Sequence, residues 1–216
     1  MHKPLLPLAL VLACGALSAR ADVLVAVMVD THTLAGTSGY VDFQFNPGPF
    51  STQSATLDIE KFAGAGYLAG SQVDTGGASG GPLPATVALT NSSVYNDDFE
   101  GVKFGNTLTF TLDFGGSAIS APNGTALSGS SFAFSLFDAS GVNPLLTTDP
   151  NGFAAIADVN TNGTVSVMTP SSSVSITPEP ASFLMIASGL SLLGIVLHRR
   201  IRPTRSGLVS KPSVCP

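Results

Sequence analysis

Thr107-Leu108-Thr109-Phe110-Thr111-Leu112-Asp113-Phe114 decides the fold class. Leu108, Phe110, Leu112 and Phe114 point one way and the Thr and Asp side chains the other, which is the period of a half-buried strand. The same alternation recurs outward from this stretch. Val41, Phe43 and Phe45 alternate with Tyr40, Asp42 and Gln44, and Ala55, Leu57 and Ile59 with Thr56, Asp58 and Glu60. Phe132, Phe134 and Leu136 give a fourth case, and Val165 and Val167 a short fifth. Val23–Val29 is a continuous apolar run, read as a strand buried on both faces, and Thr86–Leu89 and Phe153–Ala157 are further candidates. Many short strands between Gly, Pro, Asn and Ser turns predict an all-β domain, a sandwich or partly open barrel. No stretch between 22 and 177 has a helical period. Gly64–Gly81 is predicted to be a long flexible loop.

Charge divides the chain. From Asp22 to Thr177 only Lys61 and Lys103 are cationic, against 13 Asp and Glu, a formal charge of −11 inside a whole-chain value of −5. Binding to phosphate backbones needs clustered cations, so nucleic acid is excluded as a partner of this region. Both cysteines, Cys14 and Cys215, lie outside it, so it has no disulfide and no thiol chemistry. At this length a core can form without such staples.

The two ends read as addresses. In residues 1–21, Lys3 precedes an apolar stretch from Leu5 to Leu17, and Ala19-Arg20-Ala21 supplies the small-x-small pattern of a signal-peptidase site. Cleavage after Ala21 makes Asp22 the mature N-terminus. A lipid attachment at Cys14 is disfavoured by Leu12 in a position that prefers a small residue. Ala181–Leu197 holds no charge for 17 residues, the lower limit for a transmembrane helix. Arg199, Arg200, Arg202 and Arg205 follow it, a stop-transfer cluster that predicts a cytoplasmic C-terminal side. Residues 206–216 extend this basic tail, and 169–177 (Thr-Pro-Ser-Ser-Ser-Val-Ser-Ile-Thr) are predicted to be a polar tether after a 22–168 ectodomain.

Pro178-Glu179-Pro180 stands directly before the span. Pro fixes its own φ and biases the residue before it away from the helical region, so this strip is held extended. Pro-Glu-Pro, a span rich in small residues and an Arg cluster together resemble the PEP-CTERM sorting signal of Gram-negative bacteria, over residues 177–205. The resemblance implies recognition by exosortase, an integral-membrane cysteine transpeptidase-like enzyme, and transfer from the inner membrane towards the cell surface. The chain departs from the pattern in continuing past the Arg cluster to Pro216. Val29-Asp30-Thr31, Leu34–Tyr40, Asp42–Gly48 and Leu145–Gly152 are similar to stretches of one group of small PEP-CTERM ectodomains, which implies no particular activity.

Catalytic constellations are not legible. His32, the only histidine between the two addresses, has neither a nucleophile elbow nor a second metal ligand near it in sequence. Asp58 and Glu60 mimic a glycosidase pair but come from one strand, where separate strands and aromatic platforms are the rule, and the chain has no Trp. Asp158, Asn160 and Asn162 with Gly163 match the first half of a calcium loop, but Thr169 stands where a bidentate Glu belongs. The competing reading is a hairpin with a type I′ turn at Asn162-Gly163. Asp97, Asp98 and Glu100 read as a charged loop, with a second cation site as the alternative. The sequence thus points to an exported, non-enzymatic surface or matrix protein with no cofactor other than a candidate calcium. Its expected partners are signal peptidase, exosortase, transiently the inner membrane, and exopolysaccharide. The alternative is a carbohydrate- or calcium-dependent binding module.

Overall fold

The computed structural model describes residues 22–178, and these form an antiparallel all-β domain. Eleven strands follow in order: β1 (Val23–Asp30), β2 (Ser38–Pro47), β3 (Thr56–Tyr67), β4 (Val73–Thr75), β5 (Ala78–Gly80) and β6 (Val87–Thr90). Then come β7 (Asp97–Gly115), β8 (Ser130–Phe137), β9 (Ala155–Val159), β10 (Val165–Met168) and β11 (Val174–Pro178). Among the described residues helix is limited to single turns at His32–Leu34 and Ser117–Ser120. The strand order β10-β9-β8-β2-β7-β3-β6-β5 ends in free edges, so the sheet is open.

Thr107–Phe114 lies in the second half of β7, and β7 organises everything else. Its first half, Asp97–Lys103, pairs with β2 on one side and, over Asp97–Phe99, with β4 on the other. Its second half lies between β1 and β3. The change of partners falls around Gly105, where an added Cβ would collide with the backbone of Gly64. Opposite it, β3 carries register shifts between Glu60 and Ala65, with Lys61 and Gly64 at positive φ. Such bulges sharpen the local twist and bend the strand. The bend turns the two halves of β7 into different layers whose apolar faces meet. Phe110 of the second half packs on Phe134 of β8 at 5.0 Å and on Phe43 of β2 at 5.4 Å, and Phe114 on Phe45 at 6.1 Å. Neither β8 nor that part of β2 is hydrogen-bonded to these residues, so the rings join two layers across a core. All the inward residues read from the alternation in β2, β3, β7 and β8 are buried there.

Three expectations change. Residues 169–177 are not a free tether: β11 pairs with β1 from Val29↔Val174 to Val25↔Pro178, and Ser171 and Val174 are buried. The polar composition hid a strand that meets the core through Val174 and the partly buried Ile176. Residues 64–81 are not one flexible loop, because β3 runs on to Tyr67 and β4 and β5 follow. Glycine there allows close approach of backbones, and does not mark disorder. In β1 only Val25, Val27 and Val29 are buried, while Met28 is exposed, because among the described residues no further layer covers the outer side.

Candidate functional site

The chemistry of the domain gathers where β7 begins. Asp97, Asp98 and Glu100 are not a charged loop but the first residues of β7, which has β2 and β4 on either side. Alternation sends Asp97 to the outer face and Asp98 and Glu100 to the inner one. On the outer face β2 brings Asp42 next to Asp97, since Asp42 lies opposite Phe99 and Gln44 opposite Asp97. On the inner side β4 sets Asp74 directly opposite Asp98. Asp42 is 5% exposed, Asp97 8%, and Asp98 and Glu100 0%. Like charges opposed on neighbouring strands are unfavourable, and burial without a counter-charge makes them more so.

Some of these oxygens have donors. Gln44 Nε2 donates to Asp42 Oδ2 at 2.8 Å. The Leu83 amide donates to Glu100 Oε2 at 2.9 Å. Gln72 Nε2 reaches three acceptors: Asp98 Oδ1 at 3.0 Å, Asp74 Oδ1 at 3.2 Å and the Gly80 carbonyl at 3.2 Å. Three others have none: Asp42 Oδ1, Asp97 Oδ1 and Asp98 Oδ2 are buried without a hydrogen-bond partner. Desolvation, then the neighbouring Asp97, push the Asp42 carboxyl up to about 8. Desolvation and then Asp74 push Asp98 up to about 9, and burial also raises Glu100. The phenol of Tyr95 is driven up to about 12 by desolvation and by Asp97 and Asp42. An aromatic patch adjoins the outer pair: Tyr40 stacks on Phe99 with ring centroids 4.6 Å apart, and Phe99 meets Phe137 at 6.0 Å.

The residues singled out from sequence fare differently. His32 Nδ1 and Asp30 Oδ1 lie 2.7 Å apart on the surface, and the bond lowers the Asp30 pKa. Asp58 and Glu60 sit half-buried on the outer face of β3, where Asp113 lies directly across from Asp58. Desolvation, then Glu60 and Asp22, raise Asp58, and desolvation, then Asp22, raises Asp113. The strand pairing thus makes a group of four carboxylates of which the sequence showed only two.

Asp158, Asn160 and Asn162 belong to the β9–β10 hairpin. The Asn160 amide donates to Thr164 O at 2.8 Å and the Gly163 amide to Asn160 O at 2.9 Å, with Gly163 at φ 78° and Asn162 at negative φ. This is a three-residue loop closing on a left-handed glycine, not the type I′ turn expected. Asp158 Oδ1 accepts from Ser131 Oγ across β8, Asn160 Nδ2 donates to Thr164 and Ser166, and Asn162 Oδ1 accepts from Thr164. Asn160 and Asn162 thus share Thr164, while Asp158 is tied to Ser131 on the neighbouring strand. Among the described residues no group of three or more His, Cys, Asp or Glu side chains is placed to hold a metal ion.

Pro178 is the last residue of β11 and lies opposite Val25. Glu179 and Pro180, the span 181–197, Arg199, Arg200, Arg202 and Arg205, the extension 206–216 and the cleavage residues Ala19 and Ala21 lie outside the described residues. No helix among the described residues is long and apolar enough to cross a membrane. No family model matches the chain, and neither a curated protein nor a solved structure matches it significantly.

Proposed function

We propose that the chain is an exported β-sandwich protein of the cell surface or extracellular matrix, with a structural or adhesive role and no catalysis of its own, delivered by exosortase through a PEP-CTERM signal. The observation that carries this reading is the three-part C-terminus: Pro178-Glu179-Pro180, the uncharged Ala181–Leu197 and the Arg199–Arg205 cluster. Each part has a separate physical task. The paired prolines present extended backbone, the apolar stretch holds it at the membrane, and the arginines stop translocation. A permanent anchor needs only the last two. The fold is compatible with the reading in one respect: Pro178 lies in β11, an edge strand, which tolerates a proline. Replacing Pro178 and Pro180 with Ala is expected to leave membrane insertion intact and to block release, so that uncleaved protein accumulates in the inner membrane. The test is the intact mass of protein recovered from the cell surface. Retention of residues 181–216 in a strain with active exosortase would refute the sorting role.

A further inference from the structure

We propose that the inner carboxylates at the start of β7 form a calcium site, with Asp98 and Asp74 as the carboxylate ligands, the Gly80 carbonyl as a third and Glu100 as the adjoining charge. Three acceptors from three strands, Asp98 Oδ1, Asp74 Oδ1 and Gly80 O, converge to within 3.0–3.2 Å of one point. The Gln72 amide nitrogen stands at that point. It has two hydrogens for three acceptors, so it cannot satisfy them all. A second observation is independent of this convergence: Asp98 is fully buried, and its other oxygen, Oδ2, meets no donor. A buried carboxylate left bare calls for a counter-charge, and the groups facing it supply none. From β7 there is Glu100 and from β4 Asp74, while β2 sets Phe43 opposite it; Asp97 and Asp42 lie on the other face. The described region has only Lys61 and Lys103, and both side chains are exposed.

The donor set selects the ion. All the candidate ligands are oxygens, which favours a hard cation over zinc or copper. A set that mixes carboxylates with a backbone carbonyl, next to a solvent-facing Asp74, suits calcium, which accepts irregular geometry and completes its shell with water. Gly81 fits the same picture. A Cβ there would meet both Gln72 Nε2 and Glu100 Oε1, and its φ of 61° is one that glycine adopts freely. Binding would displace the Gln72 amide and fasten the segment carrying β4 and β5 to β7. The inference rests on the export reading only for its calcium supply, since extracellular modules bind calcium in the range of about 10⁻⁴–10⁻³ M.

The test is thermal unfolding of the full chain in detergent micelles, stripped with EDTA and titrated with calcium chloride at constant ionic strength. The wild-type melting temperature is expected to rise with calcium, by roughly 5 °C once the site is well filled. Asp98→Asn is expected to lose that response. Asn also mimics the protonated carboxyl that the cation-free domain holds, so in EDTA the variant should melt no lower than wild type, and a lost response cannot then be put down to misfolding. Asp158→Ala is expected to keep the response. Three results would overturn the site. One is no calcium effect on the wild type at pH 8. Another is an equal rise in Asp98→Asn. The third is loss of the response in Asp158→Ala but not in Asp98→Asn, which would move the cation to the β9–β10 turn. The sorting role is read from the mass of surface protein, so the two fail separately.

Discussion

Asp42 looks like an ordinary outward residue of an alternating strand, and in the folded domain it is 5% exposed against another carboxylate. Its folded pKa of about 8 stands above the ordinary 3.8, so the native state holds a proton that the unfolded chain gives up. Its contribution is complete below about pH 4 and lost as pH rises to about 8, and that of Asp98 is lost up to about 9. In EDTA the domain is therefore expected to melt at a higher temperature at pH 5 than at pH 8. Asp42→Asn mimics the protonated form, so it should flatten this dependence and add about 1 kcal/mol at pH 8. A melting series across pH on both proteins checks the sign; a steeper slope in the variant would contradict it. A different residue is fixed by backbone geometry. Gly64 has φ 94°, and a Cβ there would run into the Thr107 carbonyl. Gly64→Ala is expected to cost roughly 2–4 kcal/mol, read from the denaturant midpoint.

Among the elements, β11 shows what a composition-based boundary misses. A fragment ending at 168 stops before β11, which leaves β1 unpaired on one side and removes the buried Val174. Burial of a Val side chain alone is worth about 1.5–3 kcal/mol. The 22–168 fragment is thus expected to be less stable than 22–178 by roughly 2–4 kcal/mol in urea unfolding, with a smaller m value. Equal midpoints would show that β11 is dispensable. The central strand is the opposite case. Leu108, Phe110, Leu112 and Phe114 were legible as one buried face, and they are the face that meets β2 and β8. The first half of β7 was not legible, because Asp97, Asp98 and Glu100 have the composition of a turn. They are a strand because β2 and β4 pair with them.

For the molecule as a whole, the core should depend on the rings that join the layers. Phe43 touches Phe62, Phe110 and Phe134, so Phe43→Ala removes contacts to both layers. It is expected to cost about 3–5 kcal/mol, measured by equilibrium denaturation. A cost below about 1 kcal/mol would mean that the two faces do not pack as described. The amino-acid sequence by itself determined the β character, the identity of the inward residues and the concentration of cations outside 22–177, because period, side-chain type and charge are local properties. It also carried the C-terminal motif, whose parts are contiguous. The pairing of strands decided the rest. It set Asp74 against Asp98, Asp42 beside Asp97 and Asp113 across from Asp58, and it took residues 174–178 into the sheet. Cross-strand neighbours depend on register between distant segments, and a carboxylate's burial depends on what the other strand brings. Neither is written in the spacing of one strand.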